Sequence, residues 1–166
     1  MTIDQKIEAL GKHLLEEAAR RYNIQGHNYT GSLIDKAEVK LKKTLGNFDL
    51  NLVIALYGIF LDKGVKAQNV CPSRAYIEAM IQYGKRKGVE DPKGFAFAVR
   101  NKHLREGIPT AASARFSKNG RRKGWLTDTI NELLKENYFD TKLADIFQTT
   151  VEAKIEGIFQ EAFEAN

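Results

Sequence analysis

The sequence has a single cysteine, Cys71, which excludes an internal disulfide and a thiolate metal cluster and fits a reducing compartment. Long apolar runs are also missing. The longest, residues 52–57, falls far short of the roughly 18–20 residues of a membrane helix, so no membrane span is expected. Asp4 stands in the first turn where a signal peptide would be basic, so no export signal is read there. No Gly/Ser/Pro linker separates two halves, and nothing repeats at a fixed period of about 20–50 residues. One domain over residues 1–166 is therefore expected, and 43% hydrophobic with 28% charged residues excludes a disordered or fibrous chain.

The sequence is equally poor in catalytic patterns. Gly84-Lys85-Arg86-Lys87-Gly88 lacks the spacing of a phosphate-binding loop and a preceding strand, and reads as a capped basic helix end. His13, His27 and His103 stand far apart, without a metal-ligand spacing. There is no Gly-x-Ser-x-Gly elbow, and Cys71 precedes a proline with no neighbouring base. The carboxylate pairs Glu16-Glu17 and Glu90-Asp91 lie at helix edges, as solvation or capping residues do. No enzyme, cofactor or metal is expected.

What the chain has in abundance is unevenly placed charge. The net +5 divides into +11 over residues 1–127, with 23 Lys and Arg against 12 Asp and Glu, and −6 over residues 128–166, with three against nine. Such polarity suits a charged partner, either nucleic acid or a charge-matched copy of the same chain, or a solvated surface with acidic helix faces.

Local patterning predicts an α+β fold: an antiparallel sheet of about four strands packed against N-terminal and C-terminal helices, with two shorter helices in the middle. Thr2 and Gln5 have capping-box spacing, and Ile3, Ile7, Leu10, Leu14, Ala18 and Tyr22 form one helical stripe. Residues 36–55 alternate apolar and polar around Gly46-Asn47, as a hairpin does. Helices are expected over 73–87, after Pro72, and over 92–106, from Asp91-Pro92 to Gly107. Asn119-Gly120 predicts a second hairpin, with residues 115–124 as its basic arm. Terminal helices carry Ile130 and Leu133, then Ile146, Phe147, Val151, Ile155 and Ile158; Thr127 or Asp128 would cap the first, and Asp140 or Thr141 would start the second.

The densest constellation is that arm: Arg115, Lys118, Arg121, Arg122 and Lys123, with Phe116 and Trp125. Its cations suit DNA phosphates, a neighbouring subunit or plain solvent, and Trp125 either stacks on a base or anchors the segment in the core.

The order of motifs also resembles a known family. Asn28-Tyr29-Thr30-Gly31-Ser32-Leu33 follows the first helix, then come a strand pair and Tyr57-Gly58-Ile59-Phe60-Leu61-Asp62-Lys63-Gly64. A helix, an Ala-Phe-rich helix ending in Gly107-Ile108 and a final helix complete the order. It is similar to the tail-completion and head-to-tail joining (neck) proteins of long-tailed bacteriophages, including prophage copies labelled minor tail or minor capsid proteins. The family pattern falls on Thr30, Gly31 and Leu33, then on Tyr57, Gly58, Leu61, Asp62 and Gly64. Gly124-Trp125-Leu126-Thr127 lacks the proline that family members often place before the last helix. The resemblance implies a non-catalytic virion protein, assembled in the bacterial host cytoplasm, whose copies form a ring between head and tail. Its partners would be itself, neighbouring connector, portal or tail-tube proteins, and non-specifically held DNA in the lumen. The alternative from the residues alone is a basic DNA-binding or regulatory module.

Overall fold

A computed structural model describes residues 1–27, 32–44 and 47–164, apart from the side chains of 159 and 161–164. The expected Thr30-Gly31 step and the Gly46 turn lie outside the described residues. The elements in order are α1 (Ile3–Ile24), α2 (Ser32–Asp35), β1 (Glu38–Thr44), β2 (Asn47–Val53), α3 (Leu56–Lys63), α4 (Arg74–Arg86), α5 (Pro92–Glu106), α6 (Thr127–Lys135) and α7 (Tyr138–Glu164). Short 3-10 turns cover Ala67–Asn69 and Ala111–Phe116.

The expected sheet of about four strands is not there. Among the described residues the only sheet is the β1–β2 antiparallel pair, and helices dominate the chain. The second hairpin fails because local chemistry supplies other partners for its backbone. The alanine-rich residues 111–116 coil into a 3-10 turn, and Asn119 Oδ1 accepts from the amide of Arg121 while bonding the Ser117 hydroxyl. Asn and Ser side chains that bond nearby backbone in this way compete with a strand ladder. Arg121 to Gly124 are held by side-chain and backbone bonds described below, so residues 115–124 form no hairpin arm.

The backbone divides into two compact units. Unit 1 comprises Met1–Tyr22, Thr30–Ala55 and Leu126–Asn166, and unit 2 comprises Asn23–Tyr29 and Leu56–Trp125.

In unit 1, the Thr2 hydroxyl accepts from the Gln5 amide and Gln5 Oε1 accepts from the Thr2 amide, a reciprocal start for α1. Ile7, Leu10, Ala18 and Tyr22 on its apolar stripe are buried, with Leu33, Leu133 and Ile146. The strands pair with Val39 opposite Leu52 and Leu41 opposite Leu50. Gly11 lets the hairpin approach: a Cβ there would stand 2.5 Å from Val39 Cγ1 and 3.0 Å from Leu50 Cδ1. Gly11→Ala gains about 1 kcal/mol of helix propensity but crowds stiff side chains at a cost of about 1–3 kcal/mol. The expected net result is a loss of about 1 kcal/mol, read as a lower urea midpoint; a rise in the midpoint would refute this packing. On other sides of α1, Arg21 pairs with Glu132 of α6, His13 stacks on Tyr138 with ring centres 4.7 Å apart, and Lys6 donates to the Thr149 hydroxyl of α7. α6 begins after Leu126 rather than on a Thr127 or Asp128 cap. α7 begins at Tyr138, after Asn137 adopts a positive φ of 50°, rather than at Asp140 or Thr141.

In unit 2, α4 is capped by the Ser73 hydroxyl, with Pro72 just outside the helix. α5 is capped by Asp91, with Pro92 in its first turn. The two helices run antiparallel: Tyr83 stacks on Phe95, and the Tyr76 hydroxyl shares a hydrogen bond of 2.5 Å with His103 Nδ1. α5 ends on Gly107 (φ 83°), where a Cβ would collide with the Val65 carbonyl, and Ile108 then pairs with Val65 in an isolated antiparallel bridge.

Candidate interaction surface

The basic segment is a strap tied to the chain that follows α1. The Lys118 amide donates to the Ile24 carbonyl at 2.9 Å, and the Ser117 hydroxyl, which donates to Asn119 Oδ1, lies 3.4 Å from the same carbonyl. Arg122 Nη1 donates to the carbonyls of Gln25 and Gly26 at 2.7 and 3.0 Å. These acceptors are the last carbonyls of a helix and the turn after it, where orphan C=O groups and the dipole both favour a cation. Bonds run the other way as well: Gln25 Nε2 donates to the Lys123 carbonyl, and His27 Nε2 donates to the Arg122 carbonyl. Gly26 is required here, because its φ is 73° and a Cβ would meet the Phe116 carbonyl.

The far end of the strap enters the core of unit 2. Trp125 has no exposed surface, and its indole Nε1 donates to the Gly58 carbonyl of α3 at 3.2 Å. The Gly124 amide donates to the Asp62 carbonyl at 2.8 Å. Trp125 is therefore a core anchor, not a contact residue on the surface. The positions that carry the resemblance, where they fall among the described residues, have structural places of their own. Leu33 is fully buried, Gly58 and Asp62 accept the strap, and Leu61 is half-buried. Gly64 ends α3 with a φ of 74°, and Tyr57 is 43% exposed.

Of the candidate contact cations, Arg115, Lys118, Arg121 and Lys123 are exposed, whereas Arg122 is half-buried in its clamp. The Arg115 guanidinium lies 4.8 Å from the centre of the Phe116 ring, itself exposed. A shallow cleft of about 330 Å³ beside the strap is lined by Pro109, Thr110, Arg121 and Lys123 among others. A second cleft of about 350 Å³, in unit 1, is lined by His13, Arg20, Arg21, Glu132, Glu136 and Tyr138 among others, with Arg20 paired to Glu17 and Arg21 to Glu132. Arg21 holds the Glu132 carboxyl below its ordinary range. Among the described residues no cluster of His, Cys, Asp and Glu could hold a metal ion, and no helix is long and apolar enough to cross a membrane.

His27 makes the strap sensitive to acid. Burial, reinforced by the positive charge of Arg122, lowers its pKa to about 4 against the hydrogen bond to the Arg122 carbonyl. The unfolded chain takes up a proton near pH 6.5 and the folded chain does not until about pH 4, so this part of the stability is present above pH 6.5 and lost as pH falls to 4. Burial lowers the pKa of His103 as well, with Glu106 opposing, and adds to the same loss. His27→Gln should flatten the fall in thermal midpoint between pH 7 and pH 4.5; an unchanged slope would show that His27 is not buried neutral.

Sequence reasoning placed the cations but missed what divides them. Unit 2 holds 15 Lys and Arg against five Asp and Glu, a balance of +10, while unit 1 holds 11 against 16, a balance of −5. The boundary follows packing rather than a point in the sequence, so a split at residue 127 dilutes it. No family model, curated protein or solved structure matches the chain.

Proposed function

We propose that the chain is a structural subunit of the neck of a long-tailed bacteriophage or prophage: a head-to-tail connector or tail-completion protein that forms a homo-oligomeric ring in the virion and performs no catalysis. One observation carries this reading: the two compact units bear opposite charge, +10 and −5. Closed rings are built from heterologous contacts, in which one surface of a subunit meets a different surface of the next, and opposite charge suits such a pair. The motif order from Leu33 to the Ala-Phe-rich α5 supports the family, and a basic unit beside a DNA-filled lumen would hold phosphate without reading sequence. Light scattering and electron microscopy of the purified protein, alone and with connectors or tail tubes, test it. Rings or end-bound particles are expected; neither a ring nor binding to connectors or tails would overturn it.

The +10 balance of unit 2 also favours a second reading, a free-standing DNA-binding module. That module would bind duplex tightly at low salt, and replacing Arg115, Lys118 and Arg121 by alanine would reduce its salt slope by roughly three. Arg122 is left out of this set because its loss would loosen the strap. Undetectable binding at low salt removes the module.

A further inference from the structure

Two apolar helix faces lie open to solvent. On α7, Phe147, Val151, Ile155 and Ile158 are 45–66% exposed. Their spacing of four, four and three residues puts them on one face over about 16 Å of helix. Ile146, which belongs to the same apolar series, is buried, so α7 uses one side for its own unit and leaves a second side uncovered. From Val151 to Glu156 every residue is exposed. On α3 the orientation is similar: Gly58 and Asp62 face inward, while Leu56, Tyr57, Ile59 and Phe60 are 40–68% exposed.

Charge distinguishes the two faces. α7 carries two Lys against six Asp and Glu, and Glu152 and Glu156 follow Val151 and Ile155 directly. On α3, Lys63 continues the face of Leu56 and Phe60 by one turn, and exposed Lys66 follows. Lys123 of the strap lies against Gly64 at the helix end, where a Cβ would stand 2.5 Å from its Cε. Pairing α7 with α7 would oppose like charges, and so would pairing α3 with α3. Pairing α7 with α3 covers both apolar faces and matches their rims.

We infer that α7 of one copy docks on α3 of a second copy, with Glu152 and Glu156 facing Lys63 and Lys66. The inference rests on the ring reading and names its contact: a stripe of aliphatic side chains from an acidic helix seated on an aromatic-aliphatic face with a basic rim. Because the two surfaces differ, a pair joined by one contact still offers a free α3 on one copy and a free α7 on the other, and further copies can add.

The test mixes two chains in a Cys71→Ser background, one carrying Phe60→Cys and the other Ile155→Cys, and treats them with a short bismaleimide. Leu56→Cys replaces Phe60→Cys if circular dichroism shows that the latter is misfolded. Cross-linked dimer is expected in the mixture at five times or more its yield in either chain alone. Glu152→Lys with Glu156→Lys on the Ile155→Cys chain should abolish it, and Lys63→Glu with Lys66→Glu on the other chain should restore it. No excess in the mixture, or an Ile155→Cys chain that cross-links mainly to itself, overturns the contact. The same particles imaged with connectors and tails separate the two failures. Rings without the 60–155 cross-link overturn the contact alone, and the cross-link without rings or tail binding overturns the neck reading alone.

Discussion

Trp125→Ala should lower the stability of unit 2 by about 3–5 kcal/mol, the largest loss expected from a single side chain. The indole is completely enclosed, so truncation leaves a cavity and removes the donor to the Gly58 carbonyl. Trp125→Phe should cost less, since it keeps most of the buried surface and loses chiefly the hydrogen bond, about 1 kcal/mol. Against a total of about 5–15 kcal/mol for an ordinary domain, the alanine change takes a large share. Urea titration followed by circular dichroism checks both, and an alanine variant within 1 kcal/mol of the native chain would contradict a packed indole. Because the same residue pins the strap to α3, the variant should also become more sensitive to proteolysis between residues 115 and 124.

Arg122→Ala should cost about 2–3 kcal/mol, although Arg122 belongs to a run of surface cations. Its Nη1 serves two carbonyls at 2.7 and 3.0 Å, and removing a charged donor leaves both acceptors without it in a partly buried place. The neighbours give the contrast: Arg121→Ala and Lys118→Ala should change stability by no more than about 0.5 kcal/mol, as substitutions of exposed side chains usually do. Tryptophan emission reports the difference well, because Trp125 is the only indole in the chain and lies in the core the strap enters. A red shift at lower urea in Arg122→Ala, and none in Arg121→Ala, is the expected pair of results. Equal shifts would mean that the clamp does not hold in solution.

These expectations show which parts of the fold were legible in the sequence. Helices with chemical punctuation were: Thr2 and Gln5 start α1, and Asp91, Pro92 and Gly107 bound α5. The β1–β2 hairpin was legible too, because Val39, Leu41, Leu50 and Leu52 alternate and one face is covered. Residues 111–126 misled because Asn119-Gly120 favours a hairpin turn wherever the flanking chain can pair, and here the partners of that chain lie about 95 residues earlier. Nothing local in Arg122 marks Gln25 and Gly26 as its acceptors. In α7, periodicity collected Ile146, Phe147, Val151, Ile155 and Ile158 into one apolar set, and only packing shows that Ile146 is covered while the rest are open. The warning available in the sequence was the width of that set, broader than one buried face of a helix requires.

The interrupted construction of unit 1 has a consequence for the order of synthesis. Unit 2 is complete once Trp125 has been made, whereas unit 1 must wait for the segment Leu126–Asn166. At roughly 5–20 residues per second, ribosomes need about 2–8 seconds for those 41 residues. For that time the β1–β2 hairpin and α1 exist without α6 and α7, whose side chains Leu133 and Ile146 help to close their core. The earlier part of the chain thus emerges with its apolar side uncovered, and a nascent-chain chaperone would find a target there.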